Sequence, residues 1–447
     1  MKKRITDIYD LGYIYFSVVK EKVQSMNRDI DNKFSGNFFL GGVDFFLRFF
    51  YYFFKSPFNY KREFKRTNGI LIYGESVNNR NTLLPILKEL KGKSVIDLYS
   101  HRQYPKWRMY WYAIPHLLEL VKETYNASSE KREIIKCFFA KFWMMYGCNK
   151  EAGELLDFYK PKMLVMANDH LPFHRALMRE ANVRNIPTVY VQHAAVTEEF
   201  PPLGFSYSLL DGEDSYNKYK TKSETEGRIY LCGGIRFDAI KEVKQNKPQD
   251  LTVGVAINLM DDESLVKNTC IAIKNGIAEN DKAELILRPH PQMQLDVWKE
   301  WCNANDIRFS YAREESSFQF LSRISVLVSN QSSIHLDAAM CHTPSIVFKL
   351  SNNDMDDSFA FVRNGLTAKA DNLENLLTLV VKSDQCIPEA KAVKYYNCSY
   401  GTGYEGNVAK MMADLIDSVN SGKESAFINK YGFEIAESDE KKTVYKV

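Results

Sequence analysis

The stretch VLVSNQSSIHLDAAM, residues 326–340, places an apolar run before a polar turn and a helix-forming segment. The pattern predicts a buried strand over 324–328 and a helix over 333–340. Backbone N–H groups at the start of a helix can bind an anion, and serine hydroxyls add donors there. Capping of the helix by serine without a ligand explains the same pattern. The candidate donors are the residues of the turn: Ser329, Asn330, Gln331, Ser332 and Ser333.

A second polar turn, LRPHPQ at 287–292, follows a predicted strand over 284–287. Its two prolines restrict the backbone, so Arg288 and His290 should point in fixed directions. An arginine guanidinium matches phosphate oxygens, and a histidine can donate a hydrogen bond to a departing phosphate. A histidine that merely caps the next helix is the competing interpretation. Because ligands bind at the carboxyl ends of parallel strands, two such turns together favour a phosphate site.

Outward from these turns, short apolar strands alternate with amphipathic helices, which predicts parallel strands in doubly wound sheets. The polar segment 241–250 interrupts the rhythm and is interpreted as a linker. The predicted organisation is N-terminal helices over 1–68, α/β domains over 69–240 and 251–420, and a charged tail over 421–447 with a mobile outer part. Strands are predicted at 70–73, 94–99, 163–166, 188–192, 207–210, 229–231, 251–257, 284–287, 324–328 and 345–348.

The order R-x-H-P, followed by S-S-x-x-x-x-A-A-x-x-x-x-P, resembles the nucleotide-binding half of bacterial GT-B glycosyltransferases that make surface polysaccharides. That group includes capsule sialyl- and polysialyltransferases, Kdo transferases and the CDP-glycerol polymerases of teichoic acid synthesis. The resemblance implies an α/β fold with two Rossmann-like domains facing a central cleft. It also implies that His290, Ser332 and Ser333 hold the phosphate of a cytidine nucleotide. Enzymes that use UDP-sugars, and the UDP-GlcNAc 2-epimerases, carry similar features.

Two stretches of the N-terminal half resemble the same group. VQHAAV, 191–196, resembles a strand end that often reads V-Q-H-G, with Ala194 in place of the glycine. YLCGGIRFD, 230–238, resembles the G-x-x-R-x-D stretch that closes the first domain. The resemblance covers roughly residues 69–383. It implies an acceptor-side loop that contains Gln192, His193 and Glu198.

A transferase of this class needs a carboxylate on the acceptor side, as a base or as a nucleophile. Glu75 follows the first predicted strand, and Asp169 follows the strand over 163–166, so these two are preferred. The stretch DGED, 211–214, differs in order from the acidic-acidic-glycine motif of polysialyltransferases. The further acids after predicted strands are Glu198, Glu199, Asp211, Glu213 and Asp214.

No essential metal is expected. Asp354 and Asp356 form a D-x-D in a polar loop, where we expect them to be exposed to solvent. No G-x-S-x-G, P-loop or H-E-x-x-H motif occurs, which leaves a hydrolase elbow, a kinase-like phosphate loop and a zincin site without support. Four histidines lack ligand-like spacing and are interpreted as structural: His101, His116, His174 and His342.

Composition sets broad limits on function. The net charge is +3 over 447 residues, which gives no reason to expect a nucleic-acid partner. Hydrophobic residues make up 45% and charged residues 26%, as in globular proteins. The eight cysteines are dispersed and form no C-x-x-C pair, which predicts reduced thiols in a cytoplasmic protein.

The most apolar stretch is FFLGGVDFFLRFFYYFF, 38–54. Asp44 and Arg48 interrupt it, and it is shorter than the roughly 20 residues that span a bilayer. Basic residues follow it closely, which suits the surface of an anionic membrane. A helix buried on the first domain explains the same composition equally well.

Together these features predict a metal-independent GT-B glycosyltransferase. It would move a sugar or polyol phosphate from a nucleotide-sugar donor, CMP- or CDP-linked, to a glycan or lipid-linked glycan acceptor of a bacterial surface polysaccharide. We expect it in the cytoplasm or at the inner face of the cytoplasmic membrane. One alternative is a UDP-sugar transferase or a UDP-GlcNAc 2-epimerase-like enzyme, although no set of acids arranged for proton transfer at C2 is recognised. Another is a non-catalytic scaffold of polysaccharide assembly.

Overall fold

The structure, a computed structural model, describes residues 7–17, 37–55, 68–99, 106–243, 247–278, 281–352 and 357–447. The chain forms two compact units. Unit 1 consists of Met1–Cys232 and Ala409–Val447, and unit 2 consists of Gly233–Val408.

The strands are, in chain order, β1 (Ile70–Gly74), β2 (Val95–Tyr99), β3 (Met163–Met166), β4 (Thr188–Val191), β5 (Tyr207–Leu210), β6 (Gly227–Leu231), β7 (Thr252–Ile257), β8 (Glu284–Pro289), β9 (Arg308–Phe309), β10 (Val326–Ser329), β11 (Ser345–Phe348), β12 (Ala368–Ala370), β13 (Glu434–Ser438) and β14 (Lys442–Lys446).

The α-helices are α1 (Ile8–Leu11), α2 (Tyr13–Ser17), α3 (Phe38–Lys55), α4 (Val77–Glu89), α5 (Trp107–Ala113), α6 (Leu117–Asn126), α7 (Ser129–Cys137), α8 (Phe139–Tyr159), α9 (Pro172–Val183), α10 (Glu213–Lys220), α11 (Glu263–Gly276), α12 (Leu295–Ala304), α13 (Ser317–Ser322), α14 (Ile334–Met340), α15 (Leu373–Val381), α16 (Ala390–Tyr396), α17 (Val408–Asn420) and α18 (Glu424–Tyr431).

Unit 1 contains an eight-stranded sheet in the order β13-β14-β6-β5-β4-β3-β1-β2. All neighbours run parallel except the antiparallel pair β13–β14. Strands β1, β3 and β4 are buried along their whole length, as expected where helices cover both faces of a sheet. Helix α8 packs so closely on α5 that a Cβ at Gly147 would lie 1.8 Å from the Met109 carbonyl oxygen. Glycine, which has no Cβ, allows this approach.

Unit 2 contains a six-stranded sheet in the order β12-β11-β10-β7-β8-β9, and every pair is parallel. Counted within the unit, the order is 6-5-4-1-2-3, which is typical of dinucleotide-binding domains. Its core combines the buried strands β7, β10 and β11 with the apolar faces of α11 and α15. The prediction of an α/β fold with two Rossmann-like, doubly wound domains is therefore confirmed.

The domain boundaries differ from those predicted at 240, 251 and 420. The stretch GGIRFD, 233–238, belongs to unit 2 and not to the first domain. The segment predicted as a charged tail folds onto unit 1, since β14 pairs with β6 and the segment contains the buried side chains of Phe427, Phe433 and Val444. The prediction missed this because the strand–strand pairing is long-range and the segment is rich in charged residues.

N-terminal helices pack on unit 1. In α1, Asp10 pairs with Arg175 at 2.5 Å and with Arg179 at 2.8 Å, which fixes this helix on α9. Helix α3 buries only one of its faces, where the ring of Phe45 stacks on Trp143 with 3.8 Å between centroids. Within the described ranges, no helix has both the length and the apolarity needed to cross a membrane.

Candidate active site

Both sheets reverse their direction of winding beside their first strand, and ligands of open α/β sheets bind at such switch points. In unit 2, β7 lies between β8 and β10, so the switch point is the crevice beyond β7 and β10. Ala256 of β7 is level with both Arg288 and Ser329. The two polar turns therefore follow strands that lie about 10 Å apart, two strand spacings, at one edge of the sheet.

The first two residues of the SNQSS stretch, Ser329 and Asn330, form hydrogen bonds to neighbouring strands and loops. Ser329 donates a hydrogen bond to the Ala256 carbonyl at 2.7 Å. The Asn330 amide donates to Asp261 at 2.7 Å and to Ser351 at 3.3 Å, which ties the loops after β7, β10 and β11 to one another. Both side chains are buried, so they shape the crevice and are not exposed as ligands.

The second half of the turn is more open. Ser333 is exposed and its side chain makes no capping bond, while Ser332 is half-buried and accepts a 3.4 Å bond from the Ile334 N–H. The helix begins at Ile334, one residue later than predicted, and has only seven residues. Two turns provide a small dipole, so anion binding here would depend on the hydroxyls and local N–H groups. The side-chain oxygen of Gln331 is buried and has no hydrogen-bond partner among the described residues.

His290 is held in one tautomer by its own turn. Its Nδ1 accepts a 3.3 Å hydrogen bond from the Gln292 backbone N–H, so in the neutral ring the proton lies on Nε2. The residue is half-buried at the end of β8. Its Nε2–H is thus a donor at the edge of the sheet. Arg313, which is exposed, donates to the Pro291 carbonyl at 3.3–3.4 Å and brings a cation to the same turn.

Arg288, predicted to be a direct phosphate ligand, lies against the protein in this structure. Its guanidinium is buried and donates to Ser310 at 2.7 Å and to the Glu315 carbonyl at 2.8 Å. Burial lowers the pKa of Arg288, although the carboxylate of Glu315 at 3.7 Å opposes this shift. These partners hold Arg288 against the loop that follows β9. The sequence did not reveal them, because Ser310 and Glu315 lie more than twenty residues away.

Arg236 is a cation of unit 2 that was not among the predicted site residues. Its guanidinium is half-exposed and lies 3.2 Å from Asp337, a buried acid of α14 that also accepts a 3.3 Å bond from Ser317. Burial raises the pKa of Asp337, and the charges of Arg236 and Arg288 oppose that shift. Arg236 is the arginine of the G-x-x-R-x-D motif, which the sequence predicts at the end of the first domain but the structure places in unit 2.

In unit 1 the switch point lies beyond β1 and β3, and both preferred carboxylates follow these strands. Glu75 is 26% exposed, pairs with Lys106 at 2.6 Å and lies 3.8 Å from Nδ1 of His174. Asp169 is fully buried, with one oxygen 3.0 Å from Nδ1 of His170 and the other 2.5 Å from the Tyr219 hydroxyl. The fold thus brings the two predicted acids to one edge of the sheet.

The predicted acceptor-side loop has mixed roles. Gln192 is buried and bridges the ends of β4 and β5, donating to the Ala194 carbonyl and accepting from the Asp211 N–H, both at 2.9 Å. His193 is half-buried, and its Nδ1 lacks a hydrogen-bond partner within the described ranges. Glu198 is exposed. The two later acids of DGED are engaged elsewhere, Asp214 with Lys218 at 2.6 Å and Glu213 with Lys446 at 3.3 Å.

The described residues contain no group of three or more His, Cys, Asp or Glu side chains arranged to hold a metal ion. Asp354 and Asp356 of the D-x-D lie outside the described residues, as does His101. His116 is a surface residue paired with Glu119 at 2.6 Å. The eight cysteines are free thiols.

His174 makes unit 1 sensitive to acid. It is fully buried beside Tyr73, neither ring nitrogen has a hydrogen bond among the described residues, and burial lowers its pKa from 6.5 to about 4. Glu75 opposes this shift, while His170, His193 and Lys106 add to it. Below pH 6.5 this histidine is protonated in the unfolded chain, whereas in the folded chain it stays neutral down to about pH 4. The free energy of unfolding therefore decreases as the pH falls from 6.5 to 4.

We expect the His174→Phe variant to lose less stability than the wild type between pH 7 and pH 4.5, by roughly 3 kcal/mol, because the aromatic replacement keeps the volume and cannot take up a proton. Thermal midpoints measured over this range test the expectation. His116→Ala, which changes a surface histidine, should keep the wild-type pH dependence. Equal pH dependence in His174→Phe and wild type would contradict it.

Known proteins are similar to this chain in fold and not in sequence. No family model matches it, and no curated protein matches it in sequence. Among solved structures, S. aureus MnaA with UDP is 12% identical over 79% of this chain and 96% of that chain, with a TM-score of 0.47. UDP-GlcNAc 2-epimerase from Neisseria meningitidis bound to UDP-GlcNAc is 13% identical over 78% and 99%, with a TM-score of 0.49. The wall teichoic acid polymerase TagF is 10% identical over 85% and 98%, with a TM-score of 0.46.

The three neighbours include a 2-epimerase and a teichoic acid polymerase, and at such identities and TM-scores they assign no reaction to this chain. The strand orders define the class of fold independently. Two doubly wound parallel sheets, one of the order 3-2-1-4-5-6, occur in a single chain and each places polar residues at its switch point. This is a fold of two doubly wound, Rossmann-like domains.

Proposed function

We propose that this chain is a glycosyltransferase that moves a sugar or polyol phosphate from a nucleotide-activated donor to a surface glycan of a bacterium. One observation carries the proposal. In the sheet of unit 2, the Nε2–H of His290 and the hydroxyls of Ser332 and Ser333 follow the two strands that flank β7. Hydrogen-bond donors at the switch point of this strand order fit the phosphate of a nucleoside diphosphate or monophosphate.

In this proposal, unit 2 stabilises the departing phosphate. His290 donates from Nε2 to a phosphate oxygen as negative charge develops there, and the two serine hydroxyls donate to neighbouring oxygens. Arg288 positions the turn from behind through Ser310 and Glu315. Arg236 adds positive charge beside α14. These cations and donors could stabilise the leaving group without an essential metal or any other cofactor.

The donor is proposed to carry cytidine, as CMP or CDP, because the R-x-H-P and Ser-Ser motifs resemble those of enzymes that use cytidine nucleotides. The loop after β7 exposes Leu259 and Met260 between the two polar turns. Apolar side chains at this position suit packing against the face of a nucleobase or a ribose.

Unit 1 is proposed to bind the acceptor, a glycan or lipid-linked glycan, and to supply the base. Glu75 and Asp169 mark its switch point, and Gln192, His193 and Glu198 follow the next strand. No nucleic-acid partner is proposed, given the net charge of +3.

The exposed face of α3 is proposed to lie on the cytoplasmic surface of an anionic membrane, near lipid-linked acceptors. The apolar side chains of this face recur with helical spacing and are each 37–76% exposed. Within the described part of the chain this face has no cover, and an apolar stripe of this size marks an interaction surface. Four basic residues between 61 and 66 add the charge that attracts anionic lipids. The face consists of Phe39, Val43, Phe46, Leu47, Phe50, Tyr51, Phe53 and Phe54.

Flotation with vesicles tests this surface. We expect the wild type to float with vesicles of 70% phosphatidylcholine and 30% phosphatidylglycerol, because aromatic burial and basic residues act together. The double variant Phe50→Glu, Phe54→Glu should remain at the bottom. Val381→Glu alters an exposed apolar residue of unit 2 and serves as the matched control. Equal flotation of the double variant and the control would contradict the surface.

A donor panel tests the transferase. The purified protein is incubated with CMP-N-acetylneuraminic acid, CDP-glycerol and UDP-N-acetylglucosamine, and nucleotide release to water or glycerol is measured. Release from a cytidine donor supports the proposal. The 2-epimerase alternative predicts isomerisation of UDP-N-acetylglucosamine with no release of UDP and no acceptor. A protein that neither binds nor turns over any of them would be a scaffold.

A further inference from the structure

Asp169 has no free oxygen with which to receive a proton from an acceptor. Its side chain is fully buried, and the two carboxylate oxygens contact His170 Nδ1 at 3.0 Å and the Tyr219 hydroxyl at 2.5 Å. A buried carboxylate with two such partners orients its neighbours instead of meeting substrate. The neighbour that it orients is an imidazole.

The tautomer of His170 is fixed by a chain of hydrogen bonds. The oxygen of the Asn168 amide accepts the backbone N–H groups of His170 and Leu171 at 3.1 and 2.8 Å. The amide nitrogen of Asn168 must therefore be the atom 3.3 Å from His170 Nε2, and this nitrogen can only donate. Nε2 thus carries the lone pair, which accepts this long bond from Asn168, and Nδ1 carries the proton that faces Asp169.

His170 is also the accessible member of this pair. Its side chain is 18% exposed, whereas that of Asp169 is 0% exposed. The ring of Phe200 packs against the imidazole, with 4.6 Å between the two centroids. The residue follows β3, directly at the switch point of unit 1. An oriented, basic nitrogen therefore lies where the acceptor is proposed to bind.

The other titratable groups at this edge fit the role less well. Glu75 is occupied by Lys106 at 2.6 Å, and His174 is fully buried. His193 lies with its ring 6.2 Å from that of His170 and no carboxylate is hydrogen-bonded to it among the described residues. The charged or titratable groups facing His170 are Asp169, His174, His193 and, beyond His174, Glu75 and Lys106.

We infer that His170 is the catalytic base for the acceptor and that Asp169 is its positioning residue. This inference rests on the proposed transferase function. The acceptor hydroxyl displaces the Asn168 amide from His170 Nε2, Nε2 removes the hydroxyl proton, and the oxygen's electron pair forms the bond to the transferred group. The bond between that group and the donor phosphate breaks, and its electron pair leaves on the nucleotide phosphate. The proton on His170 is then released to solvent.

The test compares His170→Ala, His170→Gln and Asp169→Asn with His116→Ala, which removes a histidine paired with a carboxylate on the surface. The probe is nucleotide release from CMP-N-acetylneuraminic acid, CDP-glycerol and UDP-N-acetylglucosamine, with thermal midpoints to establish folding. We expect the His170 variants and Asp169→Asn to lose about 10²–10⁴-fold in kcat, with the nucleotide-induced thermal shift unchanged. His116→Ala should stay within twofold of wild type.

Two further measurements separate a base from a structural residue. The pH–rate profile of the wild type should fall on the acid side as the base is protonated, and this limb should disappear from the residual activity of His170→Ala. Added imidazole should restore part of the activity of His170→Ala and none of that of His290→Ala. If the wild type is active and a folded His170→Ala has a kcat within threefold of the wild-type value, the inference about His170 is overturned and the proposed function is not affected. A wild type that shows no nucleotide-induced shift and no release removes the proposed function and the inference with it.

Discussion

A chain truncated after Ser421 is expected to lose most of the stability of unit 1. The removed segment buries Phe427, Phe433 and Val444, and each large apolar side chain contributes about 1.5–3 kcal/mol when buried. The loss of more than about 5 kcal/mol is comparable to the whole stability of a typical domain. We expect insoluble protein, or a thermal midpoint more than about 10 °C below that of the full chain.

Two features of β6 explain why the effect should be so large. Without β14, this strand becomes an unprotected edge with unpaired backbone groups. Tyr230 also loses the stacked ring of Tyr445, at 4.6 Å, and the carboxylate of Glu424, at 2.6 Å from its hydroxyl. Removal of Val447 alone, which lies beyond β14, should change stability by less than about 0.5 kcal/mol. A truncated chain that melts like the full chain would contradict the placement of this segment in the sheet.

The second large effect is expected for His290→Ala, which should reduce kcat for donor turnover by about 10²–10³-fold, as does the loss of one donor to a developing charge. The change removes the Nε2–H and leaves the strand and both prolines in place. His290→Gln keeps an N–H donor and should lose less. Gln292→Ala, which alters an exposed side chain of the same turn, should remain near wild type. Undiminished turnover by a folded His290→Ala would show that the donor phosphate binds elsewhere.

Ten of the fourteen strands of the described residues could be predicted from sequence, because most of them are short, buried apolar runs. Val326–Ser329 and Met163–Met166 are buried at every position, and nothing but a central strand fits so short an apolar run between polar turns. The two polar turns were located to within two residues for the same reason, since a turn must follow each strand, but Arg288 and Ser329 belong to the strands.

What could not be predicted depends on contacts between distant residues. The pairing of β14 with β6 joins segments more than 200 residues apart. The two-residue strand β9 and the three-residue strand β12 are too short to leave a pattern. Ser310 and Glu315 hold the Arg288 guanidinium inside the protein, and Tyr219 and His170 contact the two carboxylate oxygens of Asp169. Residue types at strand ends indicate a site, but only their partners assign the roles.

Binding of a cytidine nucleotide by unit 2 at His290 can be tested directly with a thermal-shift panel. CMP, CDP, UDP, GDP and ADP are each added to wild type and to His290→Ala. A ligand at 100 times its Kd stabilises the folded state by about 2.7 kcal/mol, which a melting curve resolves. We expect the thermal midpoint to rise with CMP or CDP alone, and this rise to be lost in His290→Ala. A rise with UDP alone would assign the chain to UDP-sugar enzymes, and no rise with any nucleotide would contradict the transferase.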